Sequence, residues 1–187
     1  MNIKQWYPLE DGKHTIELNI NRYEQLYDKK DPNPYRKRDL DEDVVEYITS
    51  SYFEVGEGKV GKLRIFHQDD LTVEDINEMK DAIHEYFEYR THITKVNIKY
   101  TLKTGYKSLS IGLIFLVITI LSSKYLNLQD KVINSFLKEL LLLIGWVSMW
   151  KPINIFLYEW WPFSKNKKMH LSFSSIPIEI IKKEVDV

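Results

Sequence analysis

The feature that most constrains this chain is an uncharged, largely apolar run at residues 108–123, bounded by Lys107 and Lys124. With Tyr106 and Tyr125 at its rims, the run approaches the ~20 residues that a helix rising ~1.5 Å per residue needs to cross ~30 Å of hydrocarbon. A buried core helix can have the same composition, but a chain of 187 residues is too short to enclose such a helix on all sides. The run therefore predicts a transmembrane helix.

A second candidate span covers residues 132–150, although it carries Lys138 and Glu139. Residues 140–150 are uninterrupted and apolar, and the connection over residues 124–131 is short, so an antiparallel helical hairpin is expected. A charge at bilayer depth costs ~2.5–3.5 kcal/mol. Lys138 and Glu139 therefore either face a neighbouring helix or the polar lumen of an oligomer, or lie at the outer interface with the membrane beginning just after them.

The positions of lysine and arginine set the expected orientation, because positive residues near span ends are retained on the cytoplasmic side. The connection between the spans offers only Lys124 and Lys131, partly offset by Asp130. The flanking segments carry more: Arg90, Lys95, Lys99, Lys103 and Lys107 before the hairpin, and Lys151, Lys165, Lys167 and Lys168 after it. Both termini are therefore expected in the cytoplasm.

Four of these lysines, Lys95, Lys99, Lys103 and Lys107, recur every four residues beside the first span. A basic stripe in that position attracts anionic lipid headgroups at about 1 kcal/mol per side chain. The alternative is an ordinary excess of positive charge on the cytoplasmic side. The sequence leaves both interpretations open.

The chain that leaves the second span is rich in aromatic residues. Pro152 cannot continue the helical hydrogen-bond ladder without a kink, and apolar side chains recur at helical spacing after it. This pattern predicts a short amphipathic helix lying in the membrane interface. Its expected anchors are Trp150, Lys151, Phe156, Trp160 and Trp161. The alternative is that these aromatic residues pack on a soluble domain of the same protein.

Outside the apolar segments, the sequence predicts a small α/β layer. Alternating apolar and polar residues at 14–20 and 60–67 are typical of strands, and residues 175–181 can add a third strand, at an edge or beginning after Pro177. Helical spacing predicts a helix at residues 39–51, between the first two strands.

A longer helix is expected to begin at Val73, because Thr72 and Asp75 form a capping-box pattern. It should run to about Thr104 and feed the first span, with a bend allowed at Gly105. The predicted fold is therefore α+β: a small cytoplasmic α/β layer of two or three strands plus helices, joined by this long helix to a two-helix transmembrane hairpin. The expected divisions are residues 1–104 (cytoplasmic domain and long helix), 105–151 (hairpin) and 152–187 (interfacial helix and a strand that returns to the cytoplasmic domain).

Few residues suggest chemistry. His84, Glu88 and His92 follow one another at four-residue spacing and are chemically suited to zinc or manganese, but the helix face drifts by about 80° across them, and solvated or packed side chains are the alternative. The chain has no cysteine, no glycine-rich phosphate loop and no HExxH or GxSxG motif. A net charge of -1 offers no basic field for nucleic acid. Neither an enzyme, nor a cofactor, nor a nucleic-acid partner is expected.

Residues 31–48, 82–90 and 141–163 together resemble a group of small bacterial inner-membrane proteins with two transmembrane helices. The resemblance extends from about residue 15 to residue 180. It implies a bacterial inner membrane and the same two-span layout, and it supplies no activity or catalytic residues.

These observations favour a non-enzymatic integral membrane protein: a homo-oligomeric scaffold, sensor or membrane effector that contacts the bilayer, anionic lipids and a cytoplasmic protein partner. One alternative is an ion-conducting channel or pore with Lys138 or Glu139 facing a lumen. A second alternative is a membrane-tethered metal-dependent enzyme that uses His84, Glu88 and His92 as ligands.

Overall fold

The computed structural model describes residues 6–33 and 39–183, and the fold is α+β as predicted. The chain divides into two compact units. The first unit consists of Met1–Ile93 and Asn166–Val187, and the second of Thr94–Lys165.

The described residues of the first unit contain a single four-stranded sheet with the order β1-β2-β3-β4. The strands are β1 (Leu9–Glu10), β2 (Lys13–Asn19), β3 (Val60–His67) and β4 (Ile178–Lys182). β1 pairs antiparallel with β2, whereas β2, β3 and β4 run parallel. The predictions of strands at residues 14–20 and 60–67 are confirmed. The third predicted strand is confirmed as well, beginning after Pro177 and lying at an edge.

The short strand β1 was not predicted, although the sequence carries a signal for it. Asp11 and Gly12 separate β1 from β2, with positive φ angles of 51° and 78°. A two-residue Asp-Gly loop is a preferred connection for a tight antiparallel hairpin, because both central residues must adopt left-handed conformations.

The helices of the first unit pack on one face of the sheet. Helix α1 (Glu42–Val55) begins three residues later than predicted, because Asp41 is its N-cap and accepts a hydrogen bond from the N–H of Asp43. Its buried residues join those of the sheet and of the later helices in a single core. Phe87 and Phe173 are fully buried in this core, with ring centroids 5.1 Å apart.

Helix α2 (Val73–Tyr125) is one continuous element of 53 residues. The predicted capping box is present: the Thr72 N–H donates to the Asp75 carboxylate at 2.8 Å, and the Asp75 N–H donates to the Thr72 hydroxyl at 3.2 Å. The helix feeds the apolar run as expected and continues through Gly105.

The returning chain consists of α3 (Lys131–Val147), α4 (Trp150–Asn154), a π-helical turn (Ile155–Glu159) and α5 (Trp161–Phe173). Asp130 caps the start of α3 by accepting hydrogen bonds from the N–H groups of Val132 and Ile133.

Candidate functional site

Two helical stretches, Val73–Tyr125 and Lys131–Phe173, are long and apolar enough to cross a membrane by length and composition. In the most apolar part of each, only 17% of the residues are buried within the protein. The core helix of a soluble protein would bury most of its apolar residues. These helices instead expose large apolar side chains, among them Ile111, Ile114 and Leu143.

Helices α2 and α3 pack through a line of mostly small residues, called here the hairpin seam. It consists of Gly105, Gly112, Thr119 and Ser123 on α2 and of Lys138, Gly145, Ser148 and Ile155 on the returning chain. As the numbers rise along α2, those of the partners fall, so the pair is an antiparallel hairpin, as the short connection predicted. Small residues let helix backbones approach closely, which is a principal source of packing energy between membrane helices.

Two glycines of the hairpin seam occupy positions where a side chain would clash. A Cβ on Gly145 would lie 2.3 Å from Oγ1 of Thr119, and a Cβ on Gly112 would lie 2.9 Å from the carbonyl oxygen of Ser148. In an unbroken α-helix that oxygen would accept from the N–H of residue 152, which Pro152 lacks. The Ser148 hydroxyl also lies 3.2 Å from the Gly112 carbonyl, so the helices are joined by polar contacts as well as by close packing.

Contacts across the hairpin seam show how far along α2 the two charged residues of α3 lie. The carbonyl oxygen of Lys138 lies 3.5 Å from Oγ of Ser123, the last residue before Lys124 closes the uncharged run. Lys138 is half-buried, whereas Glu139 is exposed. Both residues therefore lie beside the end of the uncharged run rather than beside its middle. This is the position expected if they lie at the outer interface.

The returning chain stays against α2 after Pro152. A Cβ on Gly105 would lie 2.8 Å from Cγ2 of Ile155, and the rings of Tyr106 and Phe156 meet edge-on with centroids 5.1 Å apart. Through Phe156 the returning chain therefore lies beside Gly105 and Tyr106 of α2, just before the uncharged run. Pro152 lies in the first turn of α4, where a missing N–H disturbs few helical hydrogen bonds.

The five predicted anchors differ in exposure. Trp150, Trp161 and Lys151 are exposed, whereas Phe156 and Trp160 are half-buried. The indole Nε1–H of Trp160 donates to the Phe156 carbonyl at 2.8 Å, so this donor is satisfied by the chain itself. The exposed anchors remain suited to a membrane interface.

The four lysines that precede the uncharged run form an exposed strip of α2, called here the basic collar: Lys95, Lys99, Lys103 and Lys107. None of them forms an ion pair with any other residue in the described part of the chain. Ile98 and Thr101 are half-buried on α2, and Gly105 is buried against the returning chain. The helix thus separates a charged outer strip from a packed inner side.

The three predicted metal ligands do not form a cluster. Nε2 of His84 lies 2.9 Å from the carbonyl oxygen of Ile176, which ties α2 to the segment before β4. Glu88 and His92 are exposed. Among residues 6–33 and 39–183, no group of three or more His, Asp or Glu side chains is positioned to hold a metal ion.

A charge network on the open face of the sheet was missed in the sequence. The Arg64 guanidinium donates to Glu10 at 3.0 Å and to Glu17 and Glu179 at 2.9 Å each. Lys62 adds ion pairs to Glu10 at 3.0 Å and to Glu179 at 2.6 Å. These residues, called here the Arg64 network, join all four strands.

The Arg64 network affects the protonation of its acids. Hydrogen bonds from Lys62 and Arg64 hold the pKa of Glu10 below its ordinary value, and Lys62 is also the largest cause of the lowered pKa of Glu179. A carboxylate with a lowered folded-state pKa contributes stability that is present at neutral pH and lost as the pH falls through that pKa. The signal in the sequence was the polar position in each strand, but the strand order was needed to bring Glu17, Arg64 and Glu179 side by side.

His170 on α5 is a buried titratable group that the sequence did not single out. Its ring lies beside Phe87, and its Nδ1 has no hydrogen-bond partner among the described residues. Burial, together with the positive charge of Arg90, lowers the pKa of His170 to about 4. The ring is therefore neutral at pH 7 and acts as a core side chain.

The first unit also has an open cleft of about 560 Å³ between α1, α2 and the loop before α1. Asp39, Glu42 and Glu46 line it together with Tyr86 and Arg90. Burial raises the pKa of Tyr86 above its ordinary value.

The hairpin seam, the exposed apolar helix surfaces and the basic collar are therefore the features that bear on function. Searches of protein-family models, of curated proteins and of solved structures found no match for this chain.

Proposed function

We propose that this chain is a two-span integral membrane protein of the bacterial inner membrane, with both termini in the cytoplasm. The single observation that carries the proposal is the combination of long apolar helix surfaces, only 17% buried, with a tightly packed antiparallel seam between them. Water would disfavour such surfaces, whereas a bilayer core of ~30 Å would cover them. In a membrane hairpin, large apolar side chains face outward and small residues face the partner helix, as they do here.

The first unit then serves as the cytoplasmic part. The lysine and arginine distribution supports this orientation, since the connection between α3 and α2 carries far fewer positive residues than the flanks. This unit acts as a binding and assembly domain. The protein works as a homo-oligomeric scaffold, sensor or membrane effector through a cytoplasmic protein partner.

The level of Lys138 and Glu139 argues for this function over an ion channel. The contact of Lys138 with Ser123 supports a place at the membrane rim, where both charges reach water and headgroups. The middle of the span lies farther along the helix pair, toward Thr119 and Gly145. The hairpin therefore functions as an anchor and assembly element.

Alkaline carbonate extraction of membranes from producing cells tests the proposal. We expect the full chain to remain in the membrane pellet after the wash and to be released by a mild detergent, because its apolar helices lie in the bilayer core. A peripheral protein held by charge is the matched comparison and should be released by carbonate. Recovery of most of this chain in the aqueous supernatant would contradict the proposed function.

A further inference from the structure

The second unit carries an unbalanced positive charge beside the uncharged run. Residues 94–107 contain the four lysines of the basic collar and no carboxylate. All four lysines are exposed and form no ion pair with the rest of the described chain. Four unpaired cations on one helix strip favour an anionic partner.

The returning chain does not neutralise this charge. Glu159 is the one carboxylate between residues 150 and 165. It is already engaged, since one of its oxygens lies 3.1 Å from Nζ of Lys151 and 2.9 Å from Nδ2 of Asn154. The positive charge of the basic collar therefore remains available to a ligand.

The spacing of the lysines defines which of them meets the headgroup layer. Lys107 borders the uncharged run, and at ~1.5 Å per residue Lys103 lies ~6 Å farther along the helix, Lys99 ~12 Å and Lys95 ~18 Å. The headgroup region on each side of the hydrocarbon is ~5–8 Å thick. Lys103 and Lys107 are therefore at phosphate level, whereas Lys95 and Lys99 lie beyond it.

Exposed aromatic residues accompany the two inner lysines. Tyr106, beside Lys107, is 64% exposed, and its ring is braced from one side by Phe156. Trp150 and Trp161 are also exposed on the returning chain. Aromatic side chains with a polar tip favour the same depth as lipid phosphates.

We propose that Lys103 and Lys107, with Tyr106 beside them, form a binding site for the phosphate groups of anionic phospholipids. This inference rests on the proposed function, because it requires the uncharged run to lie in the bilayer. It adds a ligand class and assigns different roles within the basic collar. The inner pair, Lys103 and Lys107, binds phosphate, whereas the outer pair, Lys95 and Lys99, contributes only general electrostatic attraction.

Native mass spectrometry of the purified full chain tests the site. The chain is released from micelles that contain equal amounts of phosphatidylglycerol and phosphatidylcholine, and retained lipids are counted. We expect preferential retention of phosphatidylglycerol by the natural chain. In the K103Q/K107Q variant, retention of phosphatidylglycerol should fall about fivefold for each of the two lysines removed. The matched K95Q/K99Q variant loses the same charge from the same helix and should change retention less than twofold.

Three results would overturn the site: equal losses in both variants, no preference of the natural chain for phosphatidylglycerol, or full displacement of the lipid by millimolar inorganic phosphate. The last result would assign the lysines to free phosphate. A chain that extracts as a membrane protein but shows no lipid preference refutes this inference alone. A chain that stays in aqueous buffer without detergent refutes the proposed function itself.

Discussion

Replacing Gly145 with leucine should separate the two helices of the hairpin. A Cβ alone at this position would lie 2.3 Å from Oγ1 of Thr119 and 3.0 Å from Cδ1 of Leu116, so a larger side chain has no space without backbone movement. Overpacking of this kind costs about 1–3 kcal/mol, and we expect the upper part of that range. The measurement is unfolding of the full chain by dodecyl sulfate in mixed micelles, followed by tryptophan fluorescence, to which Trp146 and Trp150 contribute.

The matched control adds volume on the opposite side of the same helix. Leu143 is 61% exposed, so Leu143→Phe should shift the unfolding midpoint by less than a quarter of the Gly145→Leu shift. The smaller change Gly145→Ala should fall between the two. Equal midpoints for Gly145→Leu and the natural chain would show that the hairpin seam does not hold the helices together.

Replacing Arg64 with methionine should destabilise the first unit. The substitution keeps much of the aliphatic packing and removes the group that binds Glu10, Glu17 and Glu179. Glu10 and Glu179 then keep Lys62 as a cation, whereas Glu17 loses its cation in the described network. Hydrogen bonds to charged groups contribute about 1.5–3 kcal/mol, so we expect a loss of about 2 kcal/mol. Urea unfolding of the full chain in mild detergent, followed by far-ultraviolet circular dichroism, measures it.

A second substitution distinguishes charge repulsion from lost packing. In the described network Glu17 pairs with Arg64 and not with Lys62. Glu17→Gln therefore removes the carboxylate that Arg64→Met leaves without its cation. Combined with Arg64→Met, it should restore part of the lost stability, whereas alone it should be destabilising. Lys62→Met is the control at the neighbouring cation and should cost less than Arg64→Met. Additive effects of Arg64→Met and Glu17→Gln would rule out the proposed coupling.

Local patterns predicted the elements of this fold well. Alternation identified β2 and β3, a capping box located the start of α2, and Pro177 set the start of β4. Each of these signals is complete within a few residues, because it depends on backbone geometry rather than on a distant partner.

Features that depend on pairing between distant segments could not be predicted in the same way. The Arg64 network needs the order and register of three strands, which bring Glu17 and Glu179 to either side of Arg64. The level of Lys138 depended on which residue of α2 it meets. The path of the chain after Pro152 likewise depends on which residues of α2 it meets, because a proline near the start of a short helix need not turn the chain.

Accessibility of single cysteines tests the central claim most directly, because the natural chain contains none. Three variants each carry one cysteine, in place of Asn19 in the first unit, Asn127 between the spans or Phe115 within the uncharged run. Each variant is treated with a membrane-impermeant maleimide, once in intact spheroplasts and once in inside-out vesicles. We predict that position 127 reacts only in spheroplasts, position 19 only in inside-out vesicles, and position 115 in neither. Labelling of positions 19 and 127 from the same side, or free reaction at position 115, would contradict a two-span hairpin.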